Sequence, residues 1–260
     1  MPLTFAHPAA VLPLMRRPLV PAALVAGAMA PDLPYFLRAL RIPVSAQSWW
    51  EPFLNATTTH EWPGTMTVGM PLALVLYLAL ASCVRPAQWV LPAGAGHVTS
   101  RRAPGPLGLA WVVLSLALGL LTHVVWDSFT HGQGWVVQNL AVLFAGVDPV
   151  TTARLLQHVS TVGGLTVLLV FPWRRRSTWL TSSDSARRVR FLRALAVVLA
   201  LSLAGLVAVI SLRYEAGVGV EHLFSNAAIG AGLGATVAVA GLSFLWWVFR
   251  PDRSGTRDSA

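Results

Sequence analysis

The chain has no lysine, one cysteine, three tyrosines and only ten acidic residues among its 260. A lone Cys83 excludes a disulfide or a thiolate metal cluster within one chain, so any bound metal must use nitrogen and oxygen donors. With 11% of residues charged and 55% hydrophobic, at a mean hydropathy of +0.63, too few polar side chains exist to cover a water-soluble core. That excludes an ordinary soluble domain and leaves an integral membrane protein. The net charge of +9 is carried entirely by arginine and sits mostly in short loops and the tail, where it reports orientation; no nucleic-acid partner is expected. Met1 to Leu14 lacks the basic residues that precede the apolar core of a signal peptide, and Arg16 and Arg17 come after it, so the start is expected to be retained. No repeat of fixed period is present.

Apolar stretches near the roughly 20 residues needed to cross a bilayer occur at about 64 to 84, 105 to 126, 156 to 173, 191 to 213 and 223 to 249. Trp62, Trp89, Trp126, Trp173, Trp246 and Trp247 lie near their ends, as interfacial anchors do. The expected fold is an all-α, polytopic bundle of about five transmembrane helices. It reads as a single membrane domain over 1–260, with N-terminal helices and a loop in 1–63, the bundle in 64–249 and a tail in 250–260. Twelve arginines fall in 85–104, 174–190 and the tail, against Arg154 alone in 127–155 and 214–222. The positive-inside rule then places the N-terminus outside and the C-terminus in the cytoplasm. Pro18 to Ala30 is too short to span, so the first 63 residues are read as helices lying at the interface or tucked back against the bundle. Pro18 and Pro21 open one helix; Pro31 and Pro34 close it and begin another, leaving Asp32 at the junction. Gly230-x-x-x-Gly234 offers a small-residue face, for packing inside the bundle first and for a dimer second.

Seven residues of one chemical kind, His7, Asp32, His60, His123, Asp127, His131 and His158, are assigned by this topology to one bilayer face. The most concentrated pattern is Thr122-His123-Val-Val-Trp-Asp127-Ser-Phe-Thr-His131. A histidine and an aspartate four apart on a helix share a face and can reach one ion, and they also make an ordinary hydrogen bond. Imidazole and carboxylate donors suit zinc or another divalent transition metal. His7, Asp32, His60, His123, Asp127 and His158 are the candidate ligands for one or two ions; His131 and Glu61 are the candidate proton-transfer groups. Quieter roles exist for each: Asp32 as a helix cap, His60 with Glu61 as a cap for the first span, His158 as a hydrogen-bonded bundle residue. His97 falls in a cytoplasmic loop and is set aside, and His222 beside Glu221 is a reserve.

The start Met1-Pro-Leu-Thr-Phe-Ala-His7-Pro-Ala-Ala, then Gly27-Ala-Met-Ala-Pro31-Asp32, then Leu121-Thr-His123-Val-Val-Trp-Asp127-Ser-Phe-Thr-His131-Gly, together resemble a bacterial membrane family of unknown function, DUF4184. In motif order that family is similar to membrane-bound metal-dependent hydrolases and, more distantly, to zinc-dependent phospholipase C and P1-type nucleases. The resemblance implies that His123 and Asp127 match a His-x-x-x-Asp metal pair and Asp32 a Pro-Asp motif, with His7, His60, His131 and His158 as family histidines of less defined role. Two departures stand out. A second His-x-x-x-Asp pair is absent, and the soluble enzymes use a free N-terminal residue as ligand where this chain begins at Met1. The implied activity is zinc-class hydrolysis of a phosphoester or phospholipid-like substrate at the outer face of a bacterial plasma membrane. Membrane lipids are the expected partners, and the oligomeric state is left open. A non-enzymatic metal-binding or structural membrane protein is the alternative. Channels and pumps are disfavoured because the fourth and fifth spans carry no ionisable residue at their centres.

Overall fold

A computed structural model describes residues 4–39, 48–91, 105–132, 134–139, 148–173, 185–213 and 219–249, and no strand forms among them. The helices are α1 (Pro8–Val11), α2 (Pro21–Met29), α3 (Leu33–Ala39), α4 (Glu51–Leu54), α5 (Ala56–His60), α6 (Met70–Val90), α7 (Pro106–Thr130), α8 (Trp135–Asn139), α9 (Pro149–Trp173), α10 (Ser185–Arg213) and α11 (Val220–Val248). Five segments are long and apolar enough to cross a membrane: Thr65–Val90, Pro106–Thr130, Val150–Phe171, Ser185–Leu212 and Asn226–Val248. They fit a multi-pass membrane protein. Large apolar side chains such as Leu155, Leu169, Leu199 and Leu203 stand exposed along α9 and α10, as lipid-facing surfaces do.

Local chemistry sets the helix starts. Pro21 and Pro106 occupy first-turn positions, where a missing N–H costs nothing. Gly105 precedes Pro106 with φ of +80°, a conformation disfavoured for other residues. Asp148 Oδ2 accepts from the Thr151 N–H at 2.9 Å and caps α9. This cap starts the third span about two turns earlier than the apolar run alone suggests. The second span also runs further than 126, ending at Thr130, so both His123 and Asp127 lie on continuous helix.

The chain gathers into two compact units. The first comprises Met1–Ala81 and His97–Ser177. In it the short N-terminal helix is tucked inward rather than lying free: Ala23, Leu24, Ala26, Ala28 and Ala30 are all fully buried. Helix α2 packs on α7 so closely that a Cβ on Gly27 would fall on the Leu116 carbonyl oxygen and one on Gly119 on that of Leu24. Only glycine permits that approach. Ser115 Oγ accepts from the Val20 N–H at 2.9 Å and donates to the Trp111 carbonyl at 2.6 Å, pinning the start of α2 to α7. Leu116, Leu120, Val112, Ala73 and Tyr77 complete this core.

The second unit comprises Ser82–Gly96 and Thr178–Ala260. Here α10 and α11 meet through Gly205, Gly230 and Gly234, whose added Cβ atoms would strike the facing backbone. The Gly-x-x-x-Gly notch is therefore filled by a neighbouring helix of the same chain. Trp247 Nε1 donates to the Ser82 carbonyl at 3.1 Å.

Candidate metal centre

Six of the seven predicted residues come together in the first unit. His7 immediately precedes α1, and Asp32 ends the tight turn Ala30–Asp32 between α2 and α3. His60 is the last residue of α5. His123 and Asp127 occupy successive turns of α7, and His131 follows its end. Asp127 lies three residues from the last helical residue, about 5 Å along the axis at 1.5 Å per residue. The cluster therefore sits near one end of a membrane-length helix rather than at its middle.

The inner set is Asp32, His60, His123 and Asp127, with one donor atom from each lying within 4.8 Å of the others. His123 Nε2 is 3.1 Å from His60 Nε2 and 3.2 Å from Asp127 Oδ2. His60 Nε2 is 3.2 Å from the same oxygen and 3.4 Å from Asp32 Oδ1, while His123 Nε2 to Asp32 Oδ1 is 3.7 Å. Bonds of about 2.0–2.1 Å in a tetrahedral shell separate their donors by about 3.3–3.4 Å. The observed edges bracket that value.

The second layer fixes which nitrogens face inward. His123 Nδ1 donates to the Ala28 carbonyl at 2.7 Å, and His60 Nδ1 to the Ala56 carbonyl at 2.7 Å. Each Nε2 is thereby turned toward the cluster, the arrangement metal-ligating histidines take. Two such nitrogens 3.1 Å apart need a proton or a cation between them. Both oxygens of Asp32 and both of Asp127 are buried without a hydrogen-bond partner, as are both ring nitrogens of His7. Buried polar atoms left in that state cost about 1–3 kcal/mol each, so a cation in their midst answers a real deficit and the residues fit one.

His7 approaches from the other side. It is 1% exposed and stacks on His123 with ring centroids 4.0 Å apart; Trp126, expected to anchor at the membrane interface, packs edge-on against it. His7 Nε2 lies 3.8 Å from Asp32 Oδ2 and 3.7 Å from Asp127 Oδ1. His131 Nδ1 is 3.5 Å from that last oxygen. The side chains of His131 and His60 are 29% and 20% exposed, so the cluster opens between α5 and the end of α7.

Burial opposes charge on every one of these groups. For Asp32 the neighbouring His123 and His60 outweigh it and hold the carboxyl below its usual range. His60 is also penalised by burial, but the Asp127 and Asp32 carboxylates hold its proton up to about 10. Burial, reinforced by His123, pushes His7 down to about 4, and burial likewise lowers His131.

His158 does not join. Because α9 starts at Pro149, His158 stands well inside that helix, and it is exposed. Glu61 is exposed too; its backbone closes α5, its N–H donating to the Thr57 carbonyl at 3.1 Å. Asp32 makes no capping hydrogen bond. His97 lies outside the described residues, as do the side chains of Glu221 and His222. Sequence reasoning missed Thr59, which is fully buried and donates to the Pro31 carbonyl at 2.7 Å and the Ala56 carbonyl at 3.0 Å. It clamps the residue before Asp32 to the helix that carries His60. Its place between Thr58 and a candidate ligand was the only signal, and the carbonyls of Ala28 and Ala56 leave no mark in a sequence.

Residues 1–244 match the family described as Domain of unknown function (DUF4184). No curated protein and no solved structure matches the chain. The likeness to phospholipase C and P1-type nucleases implied by the motifs has no counterpart in these comparisons.

Proposed function

We propose that this chain, which belongs to the DUF4184 family, is a metal-dependent hydrolase of a phosphoester group presented at one face of the membrane. The observation that supports this reading is the convergence of Asp32, His60, His123 and Asp127 on one buried volume, where both carboxylates lack a hydrogen-bond partner. Two imidazoles and two carboxylates favour a zinc-class ion over calcium or magnesium, which prefer all-oxygen shells. Such an ion, when bound, polarises a phosphoryl oxygen and brings a coordinated water's pKa toward neutrality.

The chain's own residues would do the rest. Ala28 and Ala56 orient the two imidazoles through their carbonyls. His131, beside Asp127 at the open side, is the group we assign to proton transfer in place of the exposed Glu61. Phe129, Val125 and Leu121 stand exposed on the same helix, an apolar surface suited to lipid contact, which makes a phospholipid-like substrate the natural choice. The arginine distribution favours the outer face for this opening.

One observation favours a second reading. Four protein donors around one ion form a closed shell, the pattern of structural rather than catalytic zinc; the ion would then clasp the α2–α3 junction, α5 and α7 without turnover. The test is detergent-purified protein assayed on bis(p-nitrophenyl) phosphate and phospholipid micelles. We expect metal-dependent turnover that the double change His123→Ala, Asp127→Ala abolishes. Metal binding with no turnover on a broad phosphoester panel selects the clasp, and absence of metal rejects both.

A further inference from the structure

The inner set uses only half of each carboxylate. Asp32 Oδ1 and Asp127 Oδ2 face His60 and His123, whereas Asp32 Oδ2 and Asp127 Oδ1 face His7. We propose that a second divalent cation binds on this opposite side, held by His7 Nε2, Asp32 Oδ2 and Asp127 Oδ1, so that the centre is dinuclear with both carboxylates bridging. The inference rests on the reading of the inner set as a metal site and extends it.

Three features carry the second position. His7 is 1% exposed and neither ring nitrogen has a hydrogen-bond partner, so a buried imidazole points a free donor at two carboxylate oxygens that also lack one. Its separations of 3.8 Å and 3.7 Å from them lie within about 0.4 Å of the roughly 3.4 Å between donors at about 2.1 Å in a tetrahedral shell with one position open. Three protein donors also leave a coordination position open, which the inner set does not. Paired ions about 3.5–4 Å apart bridged by shared groups are the arrangement that grips both the attacking and the leaving oxygen of a displacement.

Charge adds a consequence for the substrate. Two divalent ions against two carboxylates leave a surplus of two positive charges in a buried site, which only an anionic ligand from solution or substrate can balance. His131, next to Asp127 Oδ1 at 3.5 Å, flanks the side from which that ligand would enter. The second position thus selects negatively charged substrates, in keeping with a phosphoester and against a neutral carboxylic ester or amide.

The experiment is Mn(II) titration of the full-length protein in detergent, reading stoichiometry by elemental analysis and ion–ion coupling by electron paramagnetic resonance. Wild type is expected to bind two ions with a spin-coupled spectrum, and His7→Gln to bind one with the six-line spectrum of an isolated ion. One uncoupled ion in both proteins overturns the second position and leaves the inner one standing. No ion in wild type overturns the inner site as well. Should His7→Gln fail to fold, judged by gel filtration and thermal unfolding, the wild-type spectrum decides alone: coupling supports the bridge and its absence at saturation refutes it.

Discussion

Thr59→Val separates a metal centre held by its second layer from a chance gathering of polar groups. The change keeps the side chain's shape and removes only the hydroxyl, which is fully buried and donates to the Pro31 carbonyl at 2.7 Å and the Ala56 carbonyl at 3.0 Å. Ala56 still receives His60 Nδ1, but the Pro31 carbonyl loses this donor, at a cost of about 1–3 kcal/mol. Part of that cost is relieved by letting Asp32 drift from His60, and loss of an outer-layer partner lowers metal affinity about 10–100-fold, or about 1.4–2.7 kcal/mol. The two routes to the magnitude agree. The assay is competition for zinc against a chromophoric chelator, with thermal unfolding of the metal-free proteins alongside. Thr57→Val is the control, because Thr57 is exposed and takes part in the α5 cap through its backbone N–H; it should change affinity less than twofold. Equal affinities for Thr59→Val and wild type, or an equal loss in Thr57→Val, would refute the reasoning.

Gly119→Ala should lower stability by about 1–3 kcal/mol through overpacking, since the new methyl falls on the Leu24 carbonyl; because it pushes α2 and the Ala28 carbonyl away from α7, zinc affinity should fall with it in the same chelator titration. His158→Ala, at an exposed position, should leave metal content unchanged, and a loss there would return His158 to the ligand set. Metal binding should strengthen as pH rises. In the metal-free protein His60 keeps its proton up to about 10, and a bound ion must displace it, so affinity gains about tenfold per pH unit for each proton released; calorimetry in buffers of different ionisation enthalpy counts those protons, and a count of zero would contradict the assignment of His60.

The spans were legible because the run of apolar residues is long and the arginines fall in the loops between. His123 and Asp127 were legible as a pair because four residues make one helical turn. The rest turned on contacts that primary order does not encode. The third span starts early with Asp148 capping Thr151 through its backbone N–H and its hydroxyl, contacts that an apolar run does not register, and His158 stands exposed inside that helix. The fate of the N-terminal helix was open between interface and bundle, and the pairing of Gly27 with Gly119 decided it; neither glycine is conspicuous alone among 21. Asp32 was equally readable as a cap, and only its lack of a capping hydrogen bond and its position opposite His60 separate the two roles. That the two carboxylates turn different oxygens to different histidines is side-chain geometry, beyond the reach of spacing.

The central claim is that Asp32, His60, His123 and Asp127 surround a cation. X-ray absorption at the zinc edge of the intact, detergent-purified protein tests it without reference to any substrate. A nitrogen and oxygen shell at about 2.0–2.1 Å is expected, with outer-shell scattering from at least two imidazoles that falls sharply in His60→Ala, His123→Ala. A protein that takes up no zinc, or a shell showing sulfur or no imidazole, would contradict it.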